Sequence, residues 1–122
     1  MRPPRDLTPY RQHSQSRPIS RDIEDGSYVY VVDELEVVWV LKDGPHRHPR
    51  VLGGARPASY AGDLRNEDGV VVELTNLSGT FLFGEIDGLL SVAHLLRQIG
   101  FEIGCSAVRY FPIDGRRPQT LE

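Results

Sequence analysis

Cysteine is almost missing from this sequence: of 122 residues only Cys105 carries a thiol, and tryptophan and methionine also occur once each. One thiol cannot close an internal disulfide, so a small disulfide-built secreted scaffold is excluded and a reducing, cytoplasmic setting is expected. Long apolar runs are missing too. The densest, Tyr28 to Val32, is the length of a strand and far short of the roughly 18–20 residues that a membrane span needs. The opening Met1-Arg2-Pro3-Pro4-Arg5 has no apolar stretch behind it, so no secretory leader is read there. A basic excess is also absent, the formal net charge being -3. The charge is uneven, however. Arg2, Arg5, Arg11, Arg17 and Arg21 against Asp6 alone make residues 1–21 about four units positive, which leaves the remainder about seven units negative. An acidic body argues against nucleic-acid binding, which needs a basic face. The basic start is expected to touch an acidic partner or the body itself.

What is present fits one domain, with a hydrophobic fraction of 39% that fills a single modest core. Residues 1–25 are rich in Pro, Arg, Ser and Gln and poor in large apolar residues. Such a composition buries too little to offset the entropy of ordering, so a flexible tail is expected. The folded domain is expected over 26–115, with a flexible end at 116–122. Ser27–Val32 and Glu36–Leu41 are dense in β-branched and aromatic residues and read as two strands of a hairpin across Asp33-Glu34. Lys42-Asp43-Gly44-Pro45 then opens a loop. Ser59–Leu64 and Val70–Asn76 read as two further strands across Asn66-Glu67-Asp68-Gly69, where Asp-Gly supplies the positive φ of a tight turn. Ile86, Leu89, Leu90, Ala93, Leu96 and Ile99 recur at helical spacing, with Glu85 or Asp87 to start the helix and Gly100 to stop it. Val108–Phe111 is a last short strand. Strands first and one helix late predict an α+β fold: an antiparallel twisted sheet of about five strands, with one helix from the C-terminal half on one face.

Few residues offer chemistry. His46 and His48, one residue apart, share a side if the loop is extended and could supply two metal ligands, but no spacing identifies a third from Asp63 or Glu73, so no metal and no cofactor is expected. Asn76, Ser78 and Thr80 alternate and share a face of an extended segment, where they could line a pocket or simply satisfy the backbone at a strand end. Ser78 as nucleophile would need a base, His48 being the candidate, with Asp63 to orient it. No G-x-S-x-G elbow surrounds Ser78. The candidate catalytic residues are therefore His48, Asp63 and Ser78, and the candidate binding residues His46, His48, Asp63, Asn76, Ser78 and Thr80. Cys105 has no neighbour in sequence that would activate it.

The segments His48-Pro49-Arg50-Val51-Leu52-Gly53-Gly54, Ala61-Gly62-Asp63-Leu64, Gly69–Leu74 and Ser78-Gly79-Thr80-Phe81 follow one another in an order that resembles a small domain of bacterial proteins without an assigned reaction. That domain is related to a region of plant calmodulin-binding IQ-motif proteins. The resemblance covers about residues 26–112. It implies that His48, Asp63, Asn76 and Ser78 meet in space. In the pattern it resembles, a His-Tyr follows Ser-Gly, where this chain has Thr80-Phe81. No IQ motif is present, so calmodulin binding does not carry over. Two functions follow as expectations. One is a protein-interaction or accessory module of a bacterial system, without catalysis, nucleic acid or membrane. The other is a small or degenerate enzyme built on His48, Asp63, Asn76 and Ser78.

Overall fold

The computed structural model describes residues 2–4, 11–43, 48–54, 56–78, 81 and 83–121. Two hairpins make the centre of the sheet. β2 (Gly26–Val32) and β3 (Val38–Lys42) pair antiparallel from Tyr28↔Lys42 to Val32↔Val38. Asp33 closes their connection: its Oδ1 accepts the N–H groups of Leu35 and Val37, and its Oδ2 accepts Trp39 Nε1–H at 2.9 Å. β4 (Tyr60–Glu67) and β5 (Val70–Thr75) turn at Asp68-Gly69, both at positive φ (52° and 78°), as the Asp-Gly dipeptide predicts. β2 and β4 pair antiparallel over seven residues, joining the hairpins into one sheet.

Beyond β5 the expected topology gives way. α2 (Ile86–Ile99) buries Leu89, Val92, Ala93 and Leu96 and ends at Gly100 in the left-handed region, as the apolar spacing predicts. It is also a crossover. The chain returns from it to the free edge of β5 and runs parallel to it, through β6 (Glu102–Ile103) and β7 (Val108–Tyr110). These two short strands lie end to end on one edge, tied across their interruption by Gly104 N–H to Val71 O and Leu74 N–H to Ala107 O. β8 (Gln119–Thr120) then pairs antiparallel with β7, and Leu121 N–H reaches Val108 O at 2.8 Å. The sheet therefore has eight strands and is mixed, in place of about five antiparallel ones. A second helix, α1 (His48–Leu52), precedes β4 and buries Val51 and Leu52 against β2 and β3.

Segments expected to be flexible lie against this core where they are described. β1 (Arg17–Pro18) pairs antiparallel with β3, and Ile19 and Ile23 behind it are 7% and 5% exposed. Arg2 pairs its N–H and C=O with Ala58, and its guanidinium meets the Glu85 carboxylate, so the basic start reaches its own acidic body. Ladder bonds at residues 17–19 and the buried Ile19 and Ile23 hold this part of the chain to the sheet, a contribution that an average over polar composition does not register. All of Tyr28–Val32 is buried, so β2 is covered on both faces. Gly88 of α2 lies against the Tyr60 ring, where an added Cβ would come within 2.4 Å. This contact sets α2 on the Tyr60 face of the sheet.

Candidate functional site

His46 and Thr80 lie outside the described residues. His48 is placed by its backbone as the first residue of α1, and its side chain also lies outside the described part. Of the candidates, Asp63, Asn76 and Ser78 have described side chains.

Asp63 sits in the middle of β4, opposite Val29 of β2, and its N–H donates to Thr75 Oγ1 at 3.2 Å. Its carboxyl is half-buried on the same face of the sheet as Thr75 and Glu73. Burial, followed by the negative charges of Asp43 and Glu73, pushes its pKa up to about 6. Three acids thus share this part of the sheet, Asp43 coming from the end of β3 and Glu73 from β5.

Asn76, one residue past β5, is 5% exposed. Its Nδ2 donates to Phe83 O and to Phe111 O, both at 2.8 Å, and its Oδ1 accepts Phe111 N–H at 2.7 Å. Two donors and one acceptor are thereby engaged with backbone, and the side chain clamps the β5–α2 connection to the end of β7. Ser78 Oγ accepts Phe81 N–H at 3.1 Å and so turns the same connection. These two residues act on the connection leading into α2, while Asp63 lies within β4.

Sequence reasoning missed the groups that complete this joint. Tyr60 OH donates to Glu85 O at 2.8 Å and Tyr110 OH to Gly84 O at 2.7 Å, while the Tyr60 ring stacks on Phe83 with centroids 4.8 Å apart. Tyr30 OH, wholly buried, crosses the sheet to Thr75 O at 2.7 Å, and burial holds this phenol well above its ordinary pKa. The crossing is possible because residue 62 is glycine: a Cβ there would stand 1.9 Å from the same Thr75 oxygen. The signal available in the sequence was the tyrosines themselves, since a buried phenol needs a partner for its hydroxyl. Their partners are carbonyls 25 to 45 residues away, which no local pattern indicates.

Among the described residues, no three His, Cys, Asp or Glu side chains come together as a metal-binding group. Among the same residues no helix is long and apolar enough to cross a membrane. No family model, no curated protein and no solved structure matches the chain.

Proposed function

We propose that this chain is a protein-interaction module without catalysis of its own, an accessory component of a bacterial system working in the cytoplasm. One observation carries the reading. Asn76 and Ser78, the polar residues that a catalytic site would use, spend their hydrogen bonds on the backbone around the β5–α2 connection. Ser78 Oγ accepts Phe81 N–H and turns the connection into α2, the local backbone role that serine commonly fills at a strand end. The negative excess of the body selects a basic partner, because complementary potentials speed encounter and disfavour wrong partners. Among the described residues, the outer edge of β3 is covered by the two residues of β1 and by Ile19 N–H to Val38 O, and it is the edge at which a partner's backbone would compete.

The enzymatic alternative has one observation in its favour, the half-buried Asp63 with its acidity near neutral pH. The two readings separate experimentally. The tagged full chain is used to isolate a partner from a bacterial extract, and the complex is rebuilt from the two purified proteins. The complex is expected to survive His48→Ala and Ser78→Ala with its Kd unchanged within a factor of two. Failure to rebuild any complex, or loss of the complex in both variants, would overturn the module reading. So would turnover of a substrate panel that disappears in Asp63→Asn.

A further inference from the structure

We infer that residues 11–18 are a built-in cap on the edge of β3, and that the edge beneath takes an extended basic segment of a partner protein by strand addition. This deepens the protein-binding reading above and rests on it.

The seat is visible because the chain fills it with itself. β2 pairs with all five residues of β3 on one side, while among the described residues the other side carries Arg17↔Val40 and Pro18↔Trp39, extended by Ile19 N–H to Val38 O at 2.8 Å. Since Ile19 occupies a bonded position of the antiparallel ladder, Pro18 falls at the intervening one, where its missing N–H costs nothing. An edge guarded by Arg and Pro is how sheets avoid unwanted pairing.

The cap is held differently from the rest of the fold. None of residues 11–18 is buried. Polar bonds to α1 secure it: His13 N–H to Arg50 O, and Gln12 Nε2 and Ser16 Oγ both to the one carbonyl of Val51. Its backbone crosses Gly53 so closely that a Cβ there would lie 2.5 Å from Gln12 N. Ahead of the two ladder pairs, the cap and the sheet line a cleft of about 470 Å³ with Ser16, Glu24, Tyr28 and Lys42 among its walls, so the cap meets β3 closely only at its Arg17-Pro18 end. The apolar anchors, Ile19 and Ile23, come after it. Residues 11–18 can therefore lift while the core stays closed, and segments held by few buried apolar contacts are the ones that open locally.

The cap also indicates the chemistry of its replacement. From residue 7 to residue 21 the chain has Arg11, Arg17 and Arg21 and no acid, set against a body about seven units negative. A partner segment that is extended and basic reproduces both the ladder bonds and the charge complement. Glu24, with its side chain 84% exposed and ion-paired to Lys42 at 3.8 Å, lines the cleft and is the carboxylate there for which a partner's cation would compete.

The test uses the full chain with Cys105→Ser, Arg17→Cys and Val40→Cys. Directly opposed residues in an antiparallel pair are about 4.5–5.5 Å apart at Cα, within disulfide reach. Oxidation staples the cap down and reduction frees it, so each form controls for the folding of the other. The probe is a fluorescent peptide with the sequence of residues 11–20, followed by anisotropy. The reduced chain is expected to bind it at least tenfold more tightly than the oxidised chain. In the otherwise unaltered chain, Gln12→Ala with Ser16→Ala is expected to tighten binding by about fivefold or more, because each lost bond to Val51 O weakens the internal competitor. Equal binding to the two redox forms, no tightening in the double variant, or no binding to any form would overturn the proposal. A rebuilt partner complex that survives oxidation would overturn the cap while leaving the module reading intact. Peptide binding that follows the redox state, with no partner complex obtained, would do the reverse.

Discussion

Replacing Asp63 by asparagine should make the domain more stable at neutral pH and leave it unchanged in acid. In the folded chain the carboxyl is half-buried with Asp43 and Glu73 nearby, and its pKa stands at about 6 against 3.8 for the ordinary group. The folded state therefore holds this proton more tightly than the unfolded chain does. Between about pH 4 and pH 6 the folded state binds more protons, so wild-type stability falls as pH rises through that window. The full difference corresponds to about 3 kcal/mol at pH 7. Asp63 is only half-buried, and the solvent that reaches its exposed part lessens both the burial cost and the repulsion, so the expected gain is about 1–1.5 kcal/mol. Asparagine keeps the shape, and the backbone N–H bond to Thr75 Oγ1 does not depend on the side chain. For a chain of 122 residues the gain raises Tm by about 4–6 °C.

Urea unfolding followed by the fluorescence of Trp39, the single tryptophan, at pH 4, 5, 6 and 7 measures this directly. Subtracting wild type from variant at each pH cancels the other carboxylates. The difference should be near zero at pH 4 and should open steadily to pH 7. A variant less stable than wild type at pH 7, or one whose difference is the same at pH 4 and pH 7, would refute the account of Asp63 as a group held at a cost to stability.

Three further outcomes follow from the packing. Asn76→Ala leaves two carbonyls and an N–H without their bonds in a buried joint and should cost about 3–4 kcal/mol in urea unfolding, whereas Ser78→Ala should cost under about 1 kcal/mol. Gly62→Ala drives a Cβ into the Thr75 carbonyl that Tyr30 also needs and should cost at least about 3 kcal/mol, visible as a large drop in Tm or as failure to accumulate soluble protein. Asp33→Ala should destabilise by about 1–2 kcal/mol at pH 7. Burial raises the Asp33 pKa, but hydrogen bonds from Trp39, Val37 and Leu35 outweigh it and hold the group below the ordinary carboxylate range. The contribution is present above that range and is lost as pH falls through the lowered pKa, so the variant and wild type should converge in strong acid.

The elements legible in the sequence were those whose signal is local. Asp68-Gly69 specifies its own turn, and the apolar stripe from Ile86 to Ile99 with Gly100 behind it specifies its own helix. The direction in which Val108–Tyr110 pairs is not local. The same alternation suits a parallel or an antiparallel neighbour, and the choice is made by a crossover helix of 14 residues that returns the chain to the free edge of β5. β6 and β8, at two residues each, are too short to carry any periodicity. For the site, residue type drew attention to Asp63, Asn76 and Ser78. Only the tertiary structure separates an amide that clamps three backbone groups from a carboxyl held among other acids.

The two edges of the sheet are closed by different physics, and this bears on which of them is available to a partner. At the β8 edge, Gln119–Thr120 pairs with β7 and is followed by Leu121, whose N–H bonds Val108 O and whose side chain packs against the core. Removing that closure uncovers apolar surface, at roughly 25 cal/mol for each Å². At the β3 edge the cap of residues 11–18 brings no buried apolar side chain, and its bonds to Arg50 O and Val51 O can be exchanged for bonds to water or to another chain. Exchanged hydrogen bonds come close to cancelling, whereas exposed apolar area does not. A partner competing for the β3 edge therefore has to overcome mainly the local concentration of the tethered cap, while one competing for the β8 edge has to overcome a piece of the core. The sheet is open to replacement on the side where its own basic segment already lies.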